Sequence, residues 1–425
     1  MRRLLPALFA VGAVLFIGHE CRGDVDPALK EKVLALNALT KDEDADKKLK
    51  ELLRDKPGTK KLVAAANEIH QADPKKSPIK LNGAILLAIA ATGVKEYGTA
   101  ESFYEWSVAT ALRQQNEKRL VQAHLGLIRL YMIMKEYGKA ETWCEKFMND
   151  YESNSRAIQN AQFTVIELQI TAISRQGETD KALEKVEALV SREGFGWFFM
   201  ELKSSVQYDG GKLKDAIKTQ KDFIEKIDEQ ERLPGDEKTR MKQQAQYRLT
   251  SFLVDNKQID EAAKILKQLM QDDPENPSYY NDLGFIWADN DMNMEESEKL
   301  IRKALELDEK KRQKDLKAKK IDEVEAKQPN PAYLDSLGWV LYKNKKYAEA
   351  KKYLLEAAKD EDEGNHIEIW DHVADTQYAL GEIKDAVETW QKALKLDDIS
   401  KKDTERRKKV TEKLKKAKEE LAKNK

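Results

Sequence analysis

The stretch KEYGTAE runs from Lys95 to Glu101, and the stretch KEYGKAE runs from Lys135 to Glu141. Looser copies follow, each with a turn, a hydrophobic residue (Thr179 in one copy) and a small residue three positions further on. The small residues are Ala100, Ala140, Ala182, Ala216, Ala262, Ser297, Ala350 and Ala386. The shortest intervals between them are 34 to 36 residues, and the longer intervals fit the same period with insertions, which predicts a repeat array.

The segment PAYLDSLGWVLYKNKKYAEAKKYLLEAAK, residues 331–359, indicates what one repeat builds. Its first half places leucines and Gly338 on one face of a helix, and its second half places Ala350 and Leu354 on one face of another. Because Gly338 and Ala350 are small, the two helices can approach closely, and NKK forms the turn. One such hairpin cannot bury its own apolar face, whereas stacked hairpins can, so the sequence predicts stacked helical hairpins.

These repeats resemble tetratricopeptide repeats (TPRs). The family pattern is a bulky residue, Leu-Gly three positions on, an aromatic residue, Ala, a bulky residue, Ala and a terminal Pro. In the unit from Pro331 the matches are Leu334, Leu337, Gly338, Leu341, Ala350, Leu354 and Ala357. The strongest units span 243–398, and the resemblance covers roughly three quarters of the chain. It implies an all-α fold, a right-handed superhelix (α-solenoid) of about eight TPR-like helical hairpins.

Composition agrees with helices whose outer faces are solvated. Charged residues make up 36% of the chain and apolar residues 41%, and β-branched runs with period-two alternation are hard to find, so no sheet is expected. The 75 Lys and Arg residues nearly cancel the 76 Asp and Glu residues. The bulk net charge therefore predicts no nucleic-acid or other polyanion partner.

The N-terminus has the pattern of a signal peptide. Two arginines precede fifteen mostly apolar residues, Leu4 to Gly18, and Cys21 and Gly23 occupy the −3 and −1 places of a small-residue cleavage site. We therefore expect an exported protein of bacterial type, periplasmic or secreted. The alternative is a membrane anchor formed by an uncleaved signal, but fifteen residues are short for a span of roughly 20.

The chain divides into segments of different character. The predicted segments are a signal peptide (1–23), an N-terminal helical cap or degenerate repeat (24–80), divergent TPR-like repeats (81–240), TPR repeats (243–398) with a charged insertion (309–330), and a basic C-terminal capping helix (399–425). The insertion is interpreted as an extended solvated helix or a mobile loop, with partner binding as the alternative. In the tail, Val410, Leu414, Ala417 and Leu421 form a helical stripe, which favours a cap over an anionic-surface binder.

Catalytic motifs are not found in the sequence. It contains no HExxH, GxSxG, P-loop or paired CxxC. Cys144 lies in a helical pattern beside Trp143 and Phe147, which predicts a small buried side chain and not a nucleophile. His366 and His372 are six positions apart and do not share a helical face as an i, i+4 pair would. We therefore expect no enzyme activity, no cofactor and no metal.

The resemblance also implies a binding surface. In TPR arrays the first helix of each hairpin lines the concave surface, and carrying those positions over assigns partner binding to a set of aromatic, acidic and amide side chains. These are Tyr247, Asn281, Phe285, Asp289, Asp335, Trp339, Tyr342, Asp371, Asp375 and Tyr378. The rings would supply contact area, and the carboxylates would favour a basic or polar peptide. The alternative is that Trp339 and Tyr342 merely pack on the next helix.

The sequence thus predicts a non-catalytic scaffold for protein–protein interaction. It would bind peptide or protein partners outside the cytoplasm, through a concave groove lined by aromatic and acidic side chains. The basic clamp that binds C-terminal carboxylates in chaperone-binding TPR proteins has no counterpart, because the corresponding places hold Tyr247, Asn281, Asp335 and Asp371. The alternative function is an accessory or assembly subunit of a cell-envelope enzyme or transport complex.

Overall fold

The computed structural model describes residues 25–151, 155–360, 364–396 and 401–423. The predicted signal peptide, 1–23, lies outside the described residues. Within them the secondary structure is helical and no strand occurs. The helices fall into a first unit that ends at Lys185 and a second unit that begins at Val186.

The first unit consists of a helical N-terminal region followed by helical hairpins. Its helices are α1 (Pro27–Ala35), α2 (Asp42–Arg54), α3 (Lys56–Ala72), α4 (Leu81–Gly93), α5 (Tyr97–Arg113), α6 (Glu117–Ile133), α7 (Tyr137–Asp150) and α8 (Arg156–Arg175), and α9 (Thr179–Val190) begins in it. The helices α4 and α5 pack together, as do α6 and α7, and α5 packs on α6. The largest buried side chains of this core include Phe103, Tyr131 and Phe147.

The second unit also consists of helical hairpins. Its helices are α10 (Met200–Asp209), α11 (Leu213–Asp228), α12 (Gly235–Asp255), α13 (Ile259–Asp272), α14 (Pro277–Asp289), α15 (Met294–Lys317), α16 (Glu323–Ala326), α17 (Pro331–Lys343), α18 (Tyr347–Ala357), α19 (Ile367–Ala379), α20 (Ile383–Ala393) and α21 (Lys401–Lys423). The pairs α10/α11, α12/α13, α14/α15, α17/α18 and α19/α20 form hairpins. We call the earlier member of each pair the first helix and the later member the second helix.

The turn between the two helices of a hairpin has one recurring geometry. In the KEYG phrase, Lys95 adopts a left-handed backbone with φ 64°, and the N–H of Glu96 donates to the carbonyl oxygen of Ala91 at 2.8 Å. This bond runs backwards over the left-handed residue and satisfies a carbonyl at the end of the first helix, as in a Schellman motif. The corresponding left-handed residues in the other turns are Lys135, Gly177, Gly211, Lys257, Asp291, Lys345 and Gly381.

The small residue of the repeated phrase is buried in every copy. In every copy it is the fourth residue of the second helix, and its exposed fraction is 0% at all eight places. On the opposite helix of one hairpin, a Cβ added to Gly338 would lie 2.4 Å from Leu354 Cγ and 3.3 Å from the carbonyl oxygen of Ala350. The repeated phrase therefore builds a close helix contact, as the sequence predicts.

Two segments outside the regular period are helical. The charged insertion extends α15 to Lys317 and then forms the short α16, which is held by a hydrogen bond of 2.5 Å from Arg312 Nη1 to the carbonyl oxygen of Ala326. The basic tail forms α21, which packs on α19 and α20 with Val410 and Ala417 completely buried. Residues 309–317 of the insertion thus extend a helix, and partner binding by the insertion stays a prediction.

Replacing Gly338 by Ala should destabilise the second unit, because the added Cβ collides with Leu354 and packed cores tolerate extra atoms at a cost of roughly 1–3 kcal/mol. Gly98→Ala is the matched control, since an added Cβ there meets no atom within 4 Å. The control should leave stability unchanged or raise it by up to about 1 kcal/mol through helix propensity. Chemical denaturation followed by circular dichroism measures both, and equal effects in the two variants would contradict the close contact.

Candidate partner-binding surface

The predicted binding residues lie on four first helices of the second unit: α12, α14, α17 and α19. The helix α14 packs on α17, and α17 packs on α19. We call this the first-helix surface. Two sets of residues repeat along it: the fifth residues of α14, α17 and α19, and the ninth residues of the same helices. The fifth residues are Asn281, Asp335 and Asp371, and the ninth residues are Phe285, Trp339 and Asp375.

The fifth residues are buried between successive first helices. Asn281, Asp335 and Asp371 have exposed fractions of 7%, 6% and 2%. Asp335 on α17 lies against α19, where His372 Nδ1 is 2.9 Å from Asp335 Oδ1 and 3.1 Å from Asp335 Oδ2. This corrects the expectation of an open acidic groove, because Asp335 and Asp371 are enclosed by the next helix and offer no free carboxylate.

The carboxylates of α19 are paired with cations of α21. Lys413 Nζ lies 2.9 Å and 3.0 Å from the two carboxylate oxygens of Asp371, and 2.6 Å from Asp375 Oδ2. Arg406 Nη1 donates to Asp371 Oδ2 at 3.2 Å, and Trp390 Nε1 donates to Asp371 Oδ1 at 3.0 Å. The chain's own C-terminal helix therefore neutralises the acidic end of the first-helix surface.

Contacts with α21 extend along the whole of α19. Near the start of α19, Arg406 also bonds Glu368, and near its end the Tyr378 hydroxyl donates to Glu420 Oε2 at 2.5 Å. At the start of α21, Lys402 Nζ lies 2.8 Å from Asp255 Oδ1 at the end of α12. Tyr378, predicted to face a partner, thus already contacts α21, although it remains 39% exposed.

These contacts shift the pKa values of the buried groups. Burial and the Asp371 carboxylate raise the pKa of Asp375 to about 6, although the Lys413 ammonium opposes them. Burial alone would raise the pKa of Asp371, but Lys413 and the other cations beside it outweigh burial and lower that pKa. Burial alone would lower the pKa of His372, but the Asp335 carboxylate outweighs burial and raises it.

Three aromatic rings are stacked at the junction of α17 and α19. Trp339 lies parallel to Tyr342 with ring centroids 5.0 Å apart, and parallel to His372 of α19 with centroids 4.1 Å apart. Trp339 and Tyr342 are half-buried. Packing of Trp339 on the next helix, the alternative raised from the sequence, is therefore observed, yet part of the ring surface stays exposed. In the described part of the chain, Trp339 Nε1 has no hydrogen-bond partner.

The remaining predicted residues lie on α12 and α14. The Tyr247 hydroxyl donates to Asp282 Oδ2 at 2.5 Å, which joins α12 to α14. Asn281 Nδ2 donates to Asp282 Oδ1 at 3.2 Å. Phe285 is half-buried and Asp289 is exposed. Besides the half-buried Tyr247 and the exposed Tyr378, both bonded within the chain, the accessible part of the first-helix surface runs from Asp289 and Phe285 to the rings of α17.

Sequence reasoning missed Asp282, His372, Arg406 and Lys413 as members of this surface. Each is the partner of a residue that was assigned, and each lies on a neighbouring helix more than thirty positions away in the chain. One signal for the last two was present. Arg406 and Lys413 are seven residues apart, so they lie on one helical face next to the apolar stripe of α21.

No group of three or more His, Cys, Asp and Glu side chains among the described residues could hold a metal ion. Cys144 is completely buried, and burial raises the pKa of its thiol to about 12, so the prediction of a buried side chain is confirmed. None of the described helices combines the length and apolar character needed to span a membrane.

No family model and no curated protein matches the chain. Among solved structures, it is similar to a tetratricopeptide repeat protein from Parabacteroides merdae ATCC 43184, with a TM-score of 0.44 and 12% identity over 68% of this chain and 98% of that one. It is also similar to the C-terminal part of a TPR repeat-containing protein from Cytophaga hutchinsonii, with a TM-score of 0.35 and 14% identity over 54% of this chain and 78% of that one.

The fold is an all-α solenoid of TPR-like hairpins. Within the described residues, helices follow one another in pairs, the repeated turns each contain a left-handed residue, and the small residue of the repeated phrase is buried in every copy. The fold class predicted from the sequence is thereby confirmed.

Asp375→Asn should change how stability depends on pH. Because the folded chain raises the pKa of Asp375 to about 6, it binds this proton more tightly than the unfolded chain, and the contribution of Asp375 to stability falls as pH rises from about 4 to about 6. A shift of about two units corresponds to about 3 kcal/mol. The variant lacks this pH dependence. Beside the constant effect of losing the Lys413 contact, its stability relative to the wild type should therefore rise by up to that amount between about pH 4 and pH 7.

Urea denaturation across this pH range measures the difference. Asp289→Asn, which removes an exposed carboxylate from α14, reports the general effect of losing one acid. Parallel stability curves for the wild type and Asp375→Asn would show that Asp375 is not held in the buried, charge-crowded environment described above.

Proposed function

We propose that the chain is a non-catalytic scaffold that binds a peptide or protein partner on the first-helix surface of its second unit. The observation that carries the proposal is the row of partly exposed rings on two adjacent first helices, Phe285 on α14 and Trp339 and Tyr342 on α17. Large rigid rings give much contact area for little loss of conformational entropy, and they dominate many protein interfaces.

The indole of Trp339 has a buried N–H donor for which the described residues supply no acceptor. Its Nε1 has no acceptor within the described residues, so a shift of the ring breaks no hydrogen bond. A partner carbonyl would supply the acceptor that the N–H lacks, and unpaired buried polar groups cost about 1–3 kcal/mol. Binding at this place would therefore add a hydrogen bond as well as apolar contact.

The charge of the accessible surface narrows the kind of partner. Asp335, Asp371 and Asp375 are engaged within the chain, which leaves Asp289 as the exposed carboxylate among the predicted residues. Lys343 Nζ lies 5.7 Å from the centre of the Trp339 ring. We infer a partner segment that contributes mainly apolar and aromatic contacts, with a basic residue placed near Asp289.

Phe285→Ala combined with Asp289→Asn should abolish partner capture without unfolding the chain. Truncating a central interface ring commonly costs 2 kcal/mol or more, about thirtyfold in affinity. Affinity purification of the tagged chain with mass spectrometry identifies the partners, and the variant should lose them. Leu355→Ala removes an exposed apolar side chain from α18, a second helix, and should retain them. Retained capture by the folded double variant would exclude this surface.

We further propose that the protein acts outside the cytoplasm, after cleavage behind Gly23. The support is the sequence of the first residues, in which two arginines precede an apolar segment and a small-residue site. N-terminal sequencing of protein recovered from the extracytoplasmic fraction should begin near Asp24. Recovery of the intact Met1 terminus from a soluble cytoplasmic pool would overturn this proposal.

A further inference from the structure

The helix α21 lies where the first helix of another hairpin would lie. It packs on α19, a first helix, and on α20, the second helix of the same hairpin. The fifth residue of α19, Asp371, contacts Lys413 of α21, just as the fifth residue of α17, Asp335, contacts His372 of α19. The helix α21 thus packs on the hairpin of α19 and α20 in the way that one more first helix would.

The contacts that hold α21 are a mixture of apolar and charged groups. Val410, Leu414 and Ala417 are buried against a cluster that includes Ile367 and Trp390. Arg406 and Lys413 contact three carboxylates of α19, those of Glu368, Asp371 and Asp375. Arg407 Nη1 donates to the carbonyl oxygen of Leu394 at 2.5 Å and so satisfies the C-terminus of α20.

These contacts define a residue spacing. Relative to Arg406, an apolar residue follows at four positions, a lysine at seven, an apolar residue at eight, a small residue at eleven and an apolar residue at fifteen. The outward positions carry exposed lysines that take no part in this spacing, including Lys408, Lys409, Lys415 and Lys416. Any basic amphipathic helix with the same spacing would satisfy the same carboxylates and apolar positions.

The attachment of α21 is one-sided. The helix α17 is packed by α14, α15, α18 and α19, whereas α21 is packed by α19 and α20 and is joined to α12 by the ion pair between Lys402 and Asp255. Local opening is easiest where an element has few buried contacts, so α21 should open at a lower free energy than the hairpins before it. Opening would leave Asp371 and Asp375 without their lysine, which favours recapture of a cationic helix and disfavours any anionic occupant.

We propose that Glu368, Asp371 and Asp375, with the apolar cluster around Ile367 and Trp390, form a docking site for a basic amphipathic helix of a partner protein, and that α21 occupies this site in cis until the partner helix displaces it. The inference rests on the proposed function in assuming that the chain binds protein partners. It assigns a second site, separate from Phe285 and Asp289, and makes α21 an autoinhibitory element.

The test uses a labelled peptide of residues 401–423 as the incoming helix and the full-length chain as the receptor. The wild-type chain should bind the peptide weakly, because tethered α21 competes at an effective concentration on the order of millimolar. Full-length Arg406→Glu/Lys413→Glu, whose own helix is repelled by the carboxylates, should bind it at least about tenfold more tightly. A peptide carrying the same two glutamates is the matched control and should not bind either chain.

Hydrogen exchange of the wild-type chain gives a second readout that needs no variant to fold. Excess unlabelled peptide should speed exchange of the α21 amides while α14 and α17 stay protected. The proposal is overturned if α21 exchanges only together with α19 and α20, or if a folded double variant with a released helix fails to bind the peptide. Should the double variant not fold, the exchange measurement alone decides.

Failure of this site and failure of the proposed scaffold function can be told apart. The peptide measurement contains no other protein and does not involve Phe285 or Asp289. Its failure would leave partner capture at the rings of α14 and α17 as proposed. Conversely, if the peptide displaced α21 but no partner were captured through Phe285, the docking site on α19 would be retained and partner binding at the rings of α14 and α17 would be excluded.

Discussion

The close approach of the two helices in each hairpin is the constraint on which the rest of the structure depends. It requires a residue without a large side chain at the fourth place of the second helix, and all eight such residues are completely buried. Ser297 shows that the requirement concerns size, because its hydroxyl is satisfied by the carbonyl oxygens of Met292 and Asn293 at 3.3 Å and 3.1 Å. Once two helices are fixed at this distance, their apolar faces must be covered by the neighbouring hairpins.

Polar contacts between successive hairpins determine how their first helices align. From α12 to α21, each neighbouring pair of first helices is joined by a side-chain bond. The pairs are Tyr247–Asp282, Ser278–Tyr333, Asp335–His372 and Asp371–Lys413. Apolar surfaces can slide over one another with little change in energy, whereas a buried polar pair is satisfied in one register only. These bonds therefore fix how first helices align, while the small residues fix how close helices come.

The hairpins could be predicted because their signals are local. The left-handed turn, the small residue and the helical period all lie within one repeat, so 34 residues contain the information for each unit. The state of the candidate surface could not be predicted in the same way. The repeat pattern places Asp371 on the correct helix. Its burial, however, depends on Lys413, 42 positions away, and on the packing of the C-terminal segment as a further first helix. The apolar stripe of α21 predicted a cap. The role of Arg406 and Lys413 could be recognised only once α21 was seen to pack beside α19.

The carboxylates of α19 and the cations of α21 also set alignment and selectivity, whereas the apolar contacts supply the packing. A buried ion pair adds little net stability, since desolvation offsets much of the attraction, but removing one partner is costly. We therefore expect Asp371 and Asp375 to contribute selectivity more than affinity, because an occupant without a cation would leave both carboxylates buried and unpaired. All first helices pack on similar apolar surfaces, so apolar contact alone does not distinguish one helix from another. The carboxylates add a preference for basic helices, which a site needs if one such helix is to replace another. The hairpin of α19 and α20 can therefore accept basic amphipathic helices, and α21 is the helix of this kind that the chain itself contains.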